Sequence, residues 1–205
     1  MPALDTTGVR ADRLARLRAA MARHGVDAYI VPSSDPHLSE YLPGRWQGRA
    51  WLSGFTGSVG TFIATADVAG VWTDGRYYTQ AEQELAGTDI RLMKIPSGAS
   101  LLHIDWLADT MQPGQTVAVD ARVLGLAVAR LLGEALQARG ILLRTDLDLL
   151  DDVWPERPAL PPEAVFEHEG PYAVMPRADK LQALRGGVSY AVPDPRPTSN
   201  APCQP

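Results

Sequence analysis

Four times along this chain a segment with helical hydrophobic spacing stops at a glycine and a short apolar run follows. Beginning near Asp12, Leu14, Leu17 and Met21 share one helical face, and the pattern ends at Gly25 after Arg23 and His24. Ala28 to Val31 comes next, too short for a stable helix and closed by Pro32, so it reads as a buried strand. Gly75 to Ala86 carries Tyr77, Ala81 and Leu85 on one face and closes at Gly87, ahead of a strand from Ile90 to Ile95. Leu101 to Met111 breaks at Pro113-Gly114 before Val117 to Val119, and Leu124 to Ala138 stops at Gly140 before Ile141 to Arg144. Alternating helices and apolar strands need layers that cover both faces of a sheet, which makes the chain an α/β protein.

One stretch breaks the alternation. Val59 to Thr65 and Gly70 to Thr73 are rich in β-branched and aromatic residues and are joined by only Ala66 to Ala69, the length of a hairpin connection. An antiparallel pair among crossover-linked strands predicts a mixed sheet flanked by helices, a three-layer domain over residues 1–154. From Pro155 the composition changes, because eleven of the seventeen prolines lie between there and the C terminus. Residues 155–176 read as a proline-rich linker and Arg177 to Arg185 as the start of a second domain. Gly186-Gly187 is expected to interrupt that helix, and Gly186 to Pro205, proline-rich and poor in apolar residues, to form a disordered tail.

A net charge of −5 supplies no broad cationic surface for a phosphate backbone, so no nucleic-acid partner is expected. No apolar stretch approaches the roughly 20 residues that cross a bilayer, so no membrane association is expected. The lone Cys203 excludes an intrachain disulfide and suits a reducing, cytoplasmic setting.

The residues that could carry chemistry are few. Gly54, Gly57 and Gly60 precede a strand, the wrong order for a dinucleotide fingerprint, and read as positions of tight turns or close backbone approach. Ser33, Ser34, Asp35 and His37 hold the residue types of a hydrolytic triad, but triad partners normally come from separate elements. The serines and Asp35 are expected to cap a helix after Pro36, with His37 on the surface. His24, His37, His103 and His168 lie far apart, so no metal site is expected in this chain. Arg76, where a strand hands over to a helix, can clamp a carboxylate with its planar fork: Asp74, Glu40, or one from a substrate or second subunit. Trp46, Trp51 and Trp72 read first as core or interface anchors.

Two blocks, Arg49-Ala50-Trp51-Leu52-Ser53-Gly54-Phe55-Thr56-Gly57-Ser58 and Trp72-Thr73-Asp74-Gly75-Arg76-Tyr77-Tyr78, resemble the N-terminal (creatinase-N-like) domain of Xaa-Pro aminopeptidases, also called aminopeptidase P. Asp27 to Tyr41, Leu92-Met93-Lys94, Val119-Asp120 and Val153 to Pro158 follow the same order, and the likeness is greatest to the three-domain cytosolic form. The resemblance implies a metallopeptidase that removes the residue preceding proline, using two divalent metals, commonly manganese, held by two Asp, one His and two Glu of a catalytic domain. None of those ligands maps onto this chain. It further implies a non-catalytic domain acting in dimerisation or substrate access, with a homodimer and Pro-containing peptides as partners. His37, Glu40, Trp51, Arg76 and Tyr77 are the candidate contacts, and no catalytic residue is assigned. The alternatives are a stand-alone Pro-peptide-binding module and a small metal-independent hydrolase built on His37, Asp35 and a serine.

Overall fold

A computed structural model describes residues 6–164 and 173–191. The elements are α1 (Thr6–His24), β1 (Ala28–Pro32), α2 (Gly48–Ser53), β2 (Thr61–Thr65), β3 (Ala69–Asp74), α3 (Tyr78–Glu84) and β4 (Ile90–Ile95). They are followed by α4 (Leu102–Thr110), β5 (Thr116–Val119), α5 (Leu126–Gln137), β6 (Leu142–Arg144), α6 (Leu149–Val153) and α7 (Arg177–Ala191). The chain forms two compact units, Met1–Pro161 and Pro162–Pro205.

In the first unit the six strands form one sheet in the order β4-β3-β2-β1-β5-β6. β2 pairs antiparallel with both β1 and β3, while β1–β5, β5–β6 and β3–β4 are parallel, so the expected mixed sheet is present. The two-residue period of a strand sends alternate side chains to opposite faces. Tyr29, Val31, Phe62 and Val71 pack on one side with Leu17 of α1, Leu52 of α2, Ala81 of α3 and Leu149 of α6. Ala28, Ile30, Ile63 and Trp72 pack on the other with Ile104 and Leu107 of α4 and Leu132 and Leu136 of α5. Each fully buried side chain of this size contributes about 1.5–3 kcal/mol relative to exposure, so both faces must be covered, and the helices cover them.

The α1 helix starts at Thr6, ahead of the expected Asp12, and stops at Gly25, whose φ of 64° is the left-handed conformation that ends a helix at little cost. Two helices have no clear sequence signal. α2 and α6 have only six and five residues, too short for a periodic pattern, and exist because Leu52, Leu149, Leu150 and Val153 bury against α1 and the sheet. The compact unit also runs past Trp154 to Pro161. Arg157 holds it there, with a side chain only 3% exposed, donating to Asp148 (2.7 Å), Asp151 (2.9 Å) and the Arg45 carbonyl (3.0 Å).

In the second unit the helix expected to stop at Gly186-Gly187 continues to Ala191, and neither glycine adopts a positive φ. An interior glycine costs a helix about 1 kcal/mol relative to alanine, a penalty and not a prohibition, and alanine- and leucine-containing turns precede these two. The tail expectation for residues 186–191 is thereby corrected. Residues 192–205 lie outside the described residues, as do parts of the expected linker and His168.

Candidate functional site

Because β1, β3, β4, β5 and β6 run the same way, their carboxyl ends and the start of β2 form one rim. Open α/β sheets expose polar groups to ligands at such a rim. It gathers Ser33 after β1, Ser58 before β2, Arg76 and Tyr77 after β3, and Asp120 after β5.

The Arg76 fork is engaged within the chain. Nε donates to Asp74 Oδ1 (2.9 Å), Nη2 to Oδ2 (2.8 Å), and the Arg76 backbone N–H to Oδ1 (3.1 Å). Asp74 is therefore the partner, and Glu40 is not. The Arg76 hydrogen bonds hold the buried Asp74 carboxyl below its ordinary value, against the opposing effect of burial. Arg76 itself stays 62% exposed, and its guanidinium lies 5.3 Å from the Tyr77 ring centroid. A lowered folded-state pKa contributes stability that is present above the unfolded value of 3.8 and is lost as pH falls through the folded value. Asp74→Asn is thus expected to lower the melting temperature at neutral pH and to flatten its fall below pH of about 4. Parallel pH-melting curves for the variant and the parent chain would contradict this assignment.

Tyr77 sits at the centre of the rim. Its hydroxyl lies 2.6 Å from Ser58 Oγ and its ring meets Phe55 edge-on, with centroids 6.1 Å apart at 80°. Gly57 lies beneath both rings: a Cβ there would fall 2.3 Å from Phe55 Cζ and 2.7 Å from Tyr77 Cδ1. Gly54 has a φ of 73° and a Gly60 Cβ would approach the Trp72 carbonyl at 3.1 Å, so all three glycines serve close approach or turning. Glu40 lines a cleft of about 250 Å³ together with Trp46, Arg49 and Ser58. His37 is exposed on the loop beyond β1.

No helix begins after Pro36. Asp35 instead turns the loop, its Oδ1 accepting the backbone N–H groups of His37 and Ser39, each at 2.9 Å, while Leu38 adopts a φ of 54°. Burial raises the Asp35 pKa, but the hydrogen bonds from Ser39 and His37 prevail and lower it. A carboxylate spent on backbone amides does not orient the His37 imidazole. Ser33 Oγ donates to the Gly60 carbonyl (2.8 Å) and accepts from Arg49 Nε (2.7 Å), so the four residue types do not assemble as a triad.

Trp51 is not brought to the rim. Trp154 stacks on it at 4.8 Å and 12°, the Arg13 guanidinium lies 4.6 Å from its ring centroid, and it packs against the core that α1 covers. Trp46 and Trp72 are buried, as expected of anchors.

Arg49 was missed as a site residue. Its side chain runs beneath the rim, where Nε reaches Ser33, Nη1 the Phe55 carbonyl (2.8 Å) and Nη2 the Gly57 carbonyl. Burial pushes its pKa down to about 10, which still leaves it charged at neutral pH. A signal did exist. No acidic residue occurs between Glu40 and Asp67, so an arginine folded inward here finds no carboxylate close in sequence and draws on nearby carbonyls and hydroxyls.

Among the described residues no three His, Cys, Asp or Glu side chains form a group that could hold a metal ion. No helix there is long and apolar enough to cross a membrane.

The family model for the Creatinase/Prolidase N-terminal domain matches residues 13–146. A probable Xaa-Pro aminopeptidase P of Talaromyces marneffei is 38% identical over 187 residues, which is 90% of this chain and 28% of the relative. Aminopeptidase P2 of Arabidopsis thaliana is 36% identical over 170 residues, 82% of this chain and 24% of the relative. The X-prolyl aminopeptidase of Caenorhabditis elegans, described as a cytosolic enzyme with a di-nuclear active site, superimposes with a TM-score of 0.76 at 29% identity. That match covers 89% of this chain and 31% of the nematode chain. The present chain thus spans less than a third of the length of these relatives, and the fold, the ordered motifs and the family match agree that it belongs to the creatinase/prolidase N-terminal domain family.

Proposed function

We propose that this chain is the non-catalytic N-terminal domain of an Xaa-Pro aminopeptidase, working in the cytoplasm within an enzyme that hydrolyses the bond preceding proline at a peptide N terminus. The observation that carries this reading is the superposition of 89% of the chain on 31% of the nematode enzyme. The two divalent metals, manganese in our reading, belong to the remaining part of such an enzyme. The side chains described here do not supply a matching ligand set, and no hydrolytic step is assigned to them.

Within that enzyme the rim serves dimer contacts or substrate access. Support comes from the exposed face of Arg76, the Tyr77 ring beside it, and Glu40 and His37 on the neighbouring loop. Trp51 contributes by holding α1 and Trp154 together and not by direct contact. The test is hydrolysis of a short Xaa-Pro-Pro peptide by the purified chain, with and without manganese. No turnover is expected in either case. Manganese-dependent turnover that co-purifies with the chain would overturn the non-catalytic reading.

A further inference from the structure

A second cleft, larger than the one that Glu40 lines, opens on the sheet face that α4 and α5 cover. It encloses about 320 Å³, in the range of small-molecule sites. Ile30, Trp72 and Leu132, all buried, form its floor. Trp72 is fixed there by the Trp106 ring, with centroids 4.9 Å apart, so the floor is a packed surface that needs no ligand to form. At the mouth, Leu38 reaches from the loop beyond β1 to the start of α5, where a Cβ on Gly125 would lie 3.6 Å from its Cδ1. The walls are therefore apolar from floor to opening.

This lining disfavours ions. Among the described residues that line the cleft there is no Asp, Glu, Lys or Arg. Ser100 Oγ already accepts the Leu102 N–H at 3.5 Å, and Asp105 stands in the first turn of α4, so that helix end offers no compensating charge to an anion. An ion moved here from water gives up hydration with no opposite charge in return, whereas a neutral molecule loses far less.

His103 is the polar group that a ligand can use. Ser33 is committed to the Gly60 carbonyl and Arg49, and Ser58 to the Tyr77 hydroxyl. The His103 side chain lines the cleft, is half-buried, and makes no hydrogen bond to any described residue. Burial lowers its pKa against the opposing influence of Asp105, so at neutral pH the ring is uncharged and offers one donor and one acceptor.

We propose that this cleft binds an uncharged, largely apolar molecule with a single hydroxyl, its body lying on Ile30, Trp72 and Leu132 and its hydroxyl hydrogen-bonded to the His103 imidazole. The apolar cavity and the unpartnered ring define the site, and the absence of charged lining residues sets the class of ligand. The proposal stands independently of the peptidase reading, because it requires no catalytic domain.

The test titrates the purified 205-residue chain at neutral pH with phenethyl alcohol and, separately, with phenethylammonium, phenylacetate and ethylbenzene, following the His103 imidazole and the Leu126 to Val128 amides by NMR. Saturable shifts confined to the cleft are expected with the alcohol, and at least roughly tenfold weaker binding with both ions. Val128→Trp should fill the cleft and remove the shifts. His103→Phe, at a half-exposed position, keeps a ring of similar size and should weaken the alcohol roughly tenfold while leaving ethylbenzene unchanged, a readout that holds even if the tryptophan variant misfolds. Absence of shifts with the alcohol up to about 10 mM, or shifts centred elsewhere, would overturn the site. Equal affinity for the alcohol and either ion would overturn the neutral class, and equal weakening of alcohol and ethylbenzene in His103→Phe would overturn the hydrogen bond.

Discussion

Replacing Arg49 with methionine is expected to destabilise the first unit by about 3–4 kcal/mol, although the arginine has no carboxylate partner among its hydrogen bonds. The side chain is 6% exposed and serves the Ser33 hydroxyl and the carbonyls of Phe55 and Gly57, with its guanidinium 4.8 Å from the Phe55 ring centroid. Methionine matches the stem but leaves both carbonyls buried without a donor, at about 1–3 kcal/mol each. Relief from burying the charge offsets part of this, since burial pushes the Arg49 pKa down to about 10 against the opposing influence of Glu84 and Tyr77. For a domain of this size the loss corresponds to a fall in melting temperature of roughly 10 °C. Lysine should recover little, because a single ammonium cannot reach three acceptors spread along a planar fork. Urea unfolding with an unchanged slope measures the effect. A loss below about 1 kcal/mol would mean that the loop from Phe55 to Gly57 does not depend on the guanidinium.

The second large effect is expected at Arg157. Its guanidinium lies 5.4 Å from the Trp46 ring centroid and binds Asp148 and Asp151, while Arg122 also binds Asp148. Asp148 is 11% exposed, so removing Arg157 leaves a largely buried carboxylate with one cation in place of two. Arg157→Met should cost about 3 kcal/mol. The pair can be separated from simple loss of packing by a double-mutant cycle with Asp148→Asn, where a coupling of at least about 1 kcal/mol is expected. Hydrogen exchange supplies a local readout: the amides of α6 should open faster in Arg157→Met, because the bonds from Arg157 tie the stretch beyond α6 to the rest of the unit together with the Trp51–Trp154 stack and the Arg45 bond to the Pro158 carbonyl. The exposed pair Arg139–Asp109, at 58% and 67% exposure, is the control, since pairs of that kind contribute about 0–1 kcal/mol. If the two substitutions act alike, the domain boundary near Pro161 has another cause.

These two arginines also show why the site was less legible than the fold. Arg76 could be singled out because it stands between a strand and a helix beside an aspartate two residues away, and a short-range bidentate pair formed. Arg49 and Arg157 make their bonds to groups that no single helix or strand pattern brings together, Ser33 and the Phe55 and Gly57 carbonyls in one case and Asp148 and the far-off Arg45 carbonyl in the other. His103 was visible only as a histidine far from the others. What distinguishes it is an apolar cleft assembled from β1, β3, α4 and α5, and no local pattern encodes that neighbourhood.

The sequence by itself determined the α/β class, the central antiparallel hairpin among parallel strands, and the glycine that ends α1. Hydrophobic period, turn length and backbone freedom are local properties, and each favours the same element that the whole domain requires. It also carried the family, through ordered blocks extending from Asp27 to Pro158. Tertiary structure decided what local pattern leaves undetermined. Short helices such as α2 and α6 form only where a surface exists to bury them. Asp35 turned a loop in place of capping a helix, since its carboxylate found the nearer amides of His37 and Ser39. Trp51 went to Trp154 and Arg13 while Tyr77 stayed on the rim, because burial and partner choice depend on which distant segments arrive beside a residue.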